Sequence, residues 1–149
     1  MDLLLVPFEG IGPLKLGIPR QAMLDSIGGE IVTMPWTKAA KHRPKTPLTD
    51  YFYLYEAKVE YDRNDRSIFI EVGSLYPVIF GNRNLFDLSY EELLRFFLSI
   101  DPAVVIEPLG FTSNNLQIAI YAPDGVKDTR VPCELVSVFV KGYYETDMY

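Results

Sequence analysis

The chain has 149 residues, 48% of them hydrophobic, which suits one domain with a sizeable core over residues 1–149 and leaves too little for a second. Its 20 acidic residues against 14 basic ones give a net charge of −6, which argues against a nucleic-acid binder and leaves room for a basic macromolecular partner. A single cysteine, Cys133, excludes an intrachain disulfide and any all-cysteine metal site.

The amino-terminal MDLLLVPFEG has a short apolar run, an acid at Asp2 and no basic leader, unlike a secretory signal. No stretch approaches the roughly 18 continuous apolar residues of a membrane span. The expectation is therefore a soluble cytoplasmic protein with no membrane partner.

Leu3 to Phe8 reads as a first strand, broken by Glu9, Gly10, Gly12 and Pro13. Leu14, Leu16 and Ile18 then alternate around Lys15 and Gly17. Pro19 is placed to open a helix, Ala22, Met23 and Ile27 supply apolar positions at helical spacing, and Gly28 with Gly29 closes it. The spacing in GIGPLKLG matches neither G-x-G-x-x-G nor a P-loop, so turns and close packing, more than phosphate binding, account for its glycines.

Residues 35–50, PWTKAAKHRPKTPLTD, form a basic proline-rich loop in an acidic chain. The segment holds four of the 14 basic residues and one of the 20 acidic ones, so the remainder carries 10 against 19. A solvated insertion is one reading, and docking on an acidic partner or on the body of the protein is the other.

Tyr51 to Val72 organises the chain as a long antiparallel hairpin. Odd positions from Tyr51 through Tyr53, Tyr55, Ala57 and Val59 to Tyr61 are apolar or aromatic, while Glu56, Lys58, Glu60 and Asp62 alternate with them. A tight loop at Asn64-Asp65 pairs Arg63 with Arg66, Tyr61 with Ile68, Val59 with Ile70 and Ala57 with Val72, and sets Lys58 opposite Glu71.

Pro77 to Phe80 adds a further strand. Ser89 and Glu92 form a capping box for a second helix to Ile100, with Leu93, Phe96 and Phe97 on its buried face and Asp101-Pro102 as its end. Leu116 to Tyr121 alternates as a strand, and Glu134 to Val140 is β-branched like a central one. The predicted class is α+β: a mainly antiparallel sheet with two main helices packed on it, the order suggesting a helix-strand-strand duplication.

Residues for chemistry are sparse. One histidine and one cysteine, with no H-E-x-x-H, C-x-x-C or G-x-S-x-G arrangement, point to no metal centre, cofactor or nucleophile. His42 and Cys133 are a formal dyad, but a buried structural thiol is the ordinary reading of Cys133. Glu56, Glu60 and Asp62 share one strand face, either a solvated surface or, with Tyr144 and Glu145, an acidic site for a basic partner.

Four segments carry a resemblance: GIGPLKLGIPRQAMLDSIGG, KVEYDRNDRSIFIEV, FGNRNLFDLSYEELLRFFLSID and VSVFVKGYYE. Together they resemble small bacterial immunity proteins of polymorphic and contact-dependent growth inhibition systems, over most of the chain apart from residues 35–50. Related proteins often read Gly-Met-Ser or Gly-Met-Thr before the first helix, where this chain has Gly17-Ile18-Pro19. The layout is also similar, at the level of fold, to β-lactamase inhibitor proteins.

The resemblance implies a non-catalytic inhibitor of a cognate toxin domain, without cofactor or metal, acting as a monomer or weak homodimer. A basic nuclease is the toxin that the charge suits. The competing reading is a small-molecule-binding module or small enzyme with a pocket between helix 89–100 and the sheet; a structural or subunit role is the third.

Overall fold

The computed structural model describes residues 1–35 and 48–144. Alternating apolar residues set thirteen strands in this length, and two helices interrupt them. Strands β1 (Leu3–Val6), β2 (Gly10–Ile11) and β3 (Leu14–Lys15) precede helix α1 (Arg20–Ser26). Strands β4 (Ile31–Pro35), β5 (Leu48–Phe52), β6 (Ala57–Tyr61) and β7 (Ser67–Val72) follow it. The pattern then recurs: β8 (Val78–Phe80) and β9 (Arg83–Asn84), helix α2 (Tyr90–Ile100), and β10 (Val105–Glu107), β11 (Gly110–Ser113), β12 (Ile118–Tyr121) and β13 (Leu135–Phe139).

The small sheet has the order β3-β2-β1-β8-β9, with β1 and β8 parallel. The large sheet is antiparallel throughout, in the order β10-β11-β12-β13-β7-β6-β5-β4. Its order is the same motif from either end. Each helix is followed by a four-strand meander, and the last strands of the two meanders, β7 and β13, pair at the centre. The fold is α+β as predicted, and the repeated unit is a helix with four strands where the sequence suggests a helix with two.

The predicted hairpin register holds for Ala57 with Val72, Lys58 with Glu71 and Val59 with Ile70. Beyond Glu60 it shifts: Tyr61 pairs with Ser67, so Ile68 is the additional residue of a β-bulge and does not face Tyr61 as expected. The turn forces this. Asp62 Oδ1 accepts from the amides of Asn64 (2.8 Å) and Arg66 (3.1 Å), and Asp65 takes φ 57°, which closes a wider loop than two residues.

At the other end the tyrosine alternation misleads. Tyr53–Tyr55 is a 3-10 turn and Glu56 sits at φ 47°, so Tyr51 belongs to β5 and lies opposite Lys58 instead of extending β6. The corner is held from β7, whose following residue Gly73 donates its amide to the Glu56 carbonyl at 3.1 Å. Pro35 and Leu48 to Asp50 are strand residues paired across β4 and β5, so the expected 35–50 loop is narrower, and 36–47 lie outside the described residues.

Helix α2 begins as its sequence dictates. Ser89 Oγ accepts from the Glu92 amide at 3.2 Å while Glu92 Oε1 accepts from the Ser89 amide at 3.1 Å, a complete capping box. Leu93 and Phe97 are fully buried; Phe96, expected to be buried, is half-exposed between the Phe80 ring and the Arg83 guanidinium. Phe97 meets Phe111 of β11 at 5.3 Å and Phe80 of β8 at 5.7 Å, so one side chain joins the helix to both sheets in a single core. Asp101 fastens the end of the helix by accepting from Ser113 Oγ (2.7 Å) and Asn115 Nδ2 (2.8 Å), and these bonds hold its carboxyl below its usual ionisation range.

In the small sheet, β1 turns into β2 through Val6-Pro7-Phe8-Glu9, closed by the Glu9 amide on the Val6 carbonyl at 3.0 Å. Pro7 suits the second position, but the third requires a positive φ, and Phe8 adopts 71° there while remaining exposed.

Three stability outcomes follow from this packing, each read from a urea midpoint. Ser89→Ala should cost about 0.5 to 2 kcal/mol through the lost cap. Phe97→Ala should cost about 3 to 5 kcal/mol, and an unchanged midpoint would contradict its central position. Phe8→Gly should stabilise by up to about 1 kcal/mol, because relief of the left-handed strain exceeds the added flexibility of glycine.

Candidate functional site

Strand alternation gives the large sheet two unequal faces. Val59, Ile70, Val72, Ile118, Ile120, Val136 and Val138 point inward to the core that holds both helices. The alternate residues form an outer face, and its own buried cluster of Ile68, Phe69, Phe139 and Tyr143 contains no helix residue.

Register arranges the outer residues in rows. One row runs from Thr112 of β11 through Ala119 of β12 and Ser137 of β13 to Glu71 of β7 and Lys58 of β6. The next places Glu107, Gly110, Tyr121 and Leu135 side by side. Thr112, Ala119, Ser137 and Gly110 are small, whereas Phe69, Leu109, Tyr121 and Tyr144 around them are large. The difference in size makes a cleft of about 310 Å³ with Glu71 and Glu107 in its wall. A second hollow of about 270 Å³ adjoins it beside Val105 and Asn114, and Glu107, Thr112 and Tyr144 line both.

The charged groups on this face are unevenly matched. Lys58 Nζ is 3.6 Å from Glu60 Oε2 and 3.6 Å from Glu71 Oε1, and it lies over the Phe69 ring at 5.4 Å. Among the described outer-face residues it is the one cation against three carboxylates, those of Glu60, Glu71 and Glu107. Glu107 accepts a hydrogen bond from Thr112 Oγ1 on the paired strand, which orients its side chain.

The expected site residues do not form a solvated acidic strand face. Glu60 is only 3% exposed: Tyr143, stacked on Phe69 at 4.8 Å, covers it and donates its hydroxyl to Glu60 Oε1. Glu56 lies at the left-handed corner before β6, and Asp62 is occupied in the following turn, because β6 spans only Ala57–Tyr61. Tyr144 is exposed, edge-on to Phe139 (5.0 Å) and Tyr143 (4.8 Å), and lines the cleft. Glu145 lies outside the described residues, as does His42. Glu71, Glu107, Leu109 and Tyr121 were not read as site residues from the sequence; the Lys58–Glu71 pairing and the alternation of Leu116 to Tyr121 were the signals that pointed to this side.

Other locations carry little chemistry. The interval between α2 and the sheet, where the competing reading puts a ligand pocket, is filled by Leu93, Phe97 and Phe111. Cys133 lies buried just before β13, and burial pushes its thiol up to about 12, so it stays protonated at neutral pH. Among the described residues no group of three or more His, Cys, Asp or Glu side chains is placed to hold a metal ion, and no helix is long and apolar enough to cross a membrane.

A buried polar cluster joins α1 to β4, β5 and β6. Asp50 is fully buried, and Arg20 Nε reaches its Oδ2 at 2.9 Å while Arg20 Nη2 and Thr33 Oγ1 reach Oδ1 at 3.1 and 2.7 Å. Burial raises the ionisation of this carboxyl, but the Arg20 and Thr33 hydrogen bonds, with the Tyr61 hydroxyl nearby, outweigh it and hold it below its usual value. Burial first, then the carboxylate, raises that of Tyr61, whose hydroxyl lies outside hydrogen-bond geometry. The cluster is enclosed and reads as structural.

Because the folded state holds Asp50 at a lowered value, its contribution to stability is present above the unfolded value of about 3.9 and is lost as pH falls through the folded one. Asp50→Asn should therefore destabilise strongly at pH 7 and progressively less below about pH 4. Urea midpoints across that range check this, and a difference independent of pH would contradict the ion pair.

No model of a known family, no curated protein and no solved structure matches the chain, so the outer face is interpreted from its own residues.

Proposed function

We propose that the chain is an immunity protein: a cytoplasmic, non-catalytic inhibitor that binds a cognate bacterial toxin domain and thereby blocks it. The observation that carries this reading is the outer face of the large sheet. Among the described residues its buried cluster holds no helix residue, its cleft is walled by Phe69, Leu109, Tyr121 and Tyr144, and its carboxylates outnumber its cations. An interface core of aromatic and apolar side chains with acidic groups around it suits a basic protein partner.

The net charge of −6 adds long-range attraction to such a partner and works against nucleic acid. A basic nuclease domain is the toxin class that this electrostatic character fits, with the protein acting as a monomer or weak homodimer and needing no cofactor. A cleft of about 310 Å³ also lies at the small end of ligand-sized cavities, which favours small-molecule binding as the second reading, on the outer face and not between α2 and the sheet.

Co-expression with the toxin domain encoded beside the gene tests the proposal. The expected result is a stable complex on size-exclusion chromatography and rescue of growth from the toxin. Growth arrest despite abundant protein, with no complex, would overturn it; a thermal shift with a metabolite in that case would favour the second reading.

A further inference from the structure

We infer that Glu107 is the anchor for a basic side chain of the protein partner, an arginine or lysine whose apolar stem lies in the cleft beside it. The inference rests on the immunity reading for the identity of the partner and on the geometry of β10 and β11 for the residue.

Glu107 differs from the other two described carboxylates of the outer face. Glu60 and Glu71 share Lys58. Glu107 forms no ion pair among the described residues, and its side chain is oriented by the Thr112 hydroxyl. Here the bond fixes one oxygen toward β11 and the group stands on the ridge between two hollows.

The hollows supply what a cationic side chain needs besides charge. Gly110 and Ala119 leave depth, and the exposed faces of Leu109 and Tyr121 offer apolar surface to a methylene stem. An ion pair between such walls is less screened than one in open water, where it would contribute little. Lys58 is committed to Glu60 and Glu71, so among the described residues the outer face offers no further cation to an anionic ligand. Arginine suits the site better than lysine because its planar head can bond a carboxylate with two N–H groups and lie against an aromatic ring.

The test uses the full chain and two probes with the same stem, Nα-acetyl-arginine amide and its neutral isostere Nα-acetyl-citrulline amide, titrated into isotope-labelled protein and followed by two-dimensional NMR. Saturable shifts at Glu107, Thr112 and Tyr121 are expected with the arginine probe and should be at least tenfold weaker with citrulline. They should disappear in Glu107→Gln and persist in Glu91→Gln, a control on the exposed face of α2. Equal shifts with both probes, shifts that persist in Glu107→Gln, or none up to about 50 mM, where a single side-chain contact is measurable, would overturn the inference.

The same variant separates it from the functional reading. With the toxin domain, Glu107→Gln should weaken binding by about tenfold or more and reduce its dependence on salt. A toxin complex indifferent to Glu107→Gln leaves the immunity reading standing and removes the anchor. Arginine binding at Glu107 with no toxin complex does the reverse.

Discussion

The structure depends on the pairing of β7 with β13. Val138 lies opposite Ile70 and Val136 opposite Val72, all four in the buried core, so the seam between the two meanders is a continuous apolar strip. Neither meander closes a core alone: each has a single short or medium helix, and a sheet with one helix leaves much apolar surface in water. Joining them at their last strands gives a sheet broad enough for both helices to share one face. Phe97 then completes the core by touching β8 on one side and β11 on the other. The same pairing puts Ser137 beside Glu71 on the reverse, in the row that lines the cleft.

The outer face is therefore a consequence of the topology before it is a site. Its properties come from side-chain size and charge along a few rows. Small residues on β11, β12 and β13 make the depression, aromatic and aliphatic ones bound it, and carboxylates lie in its wall. Lys58 and Tyr143 divide the face in two. On their side Glu60 is buried and satisfied within the protein, whereas the β10 and β11 side retains an oriented carboxylate with no ion pair among the described residues. A buried carboxylate that already has partners gains little from a new cation. An exposed, oriented one between apolar walls gains more.

How much of this was legible in the sequence depended on whether two independent signals agreed. The β6–β7 register was legible because alternation on both strands and the Lys58–Glu71 pair all select it. The α2 cap was legible because Ser89, Glu92 and the flanking leucines form one motif. The corner at Tyr53–Tyr55 was not, since alternating tyrosines satisfy the strand pattern while the turn is set by a left-handed Glu56 whose carbonyl accepts from the Gly73 amide. The β10–β11 hairpin was missed because both strands are very short, and with it went Glu107. Glu60 was placed on the correct face of its strand but not in the correct environment, because its cover comes from Tyr143, far away in the chain.

Recognition through the outer face of the large sheet, as proposed, is open to side-chain footprinting of a complex with the toxin domain. Hydroxyl radicals label exposed side chains according to their access to water, so the method distinguishes one face of a sheet from the other. Complex formation should protect Tyr121 and Leu109, while Leu4 on the small sheet and Leu98 on α2 keep the labelling they have in the free protein. Unchanged labelling of Tyr121 and Leu109, with protection at Leu4 or Leu98, would contradict the account.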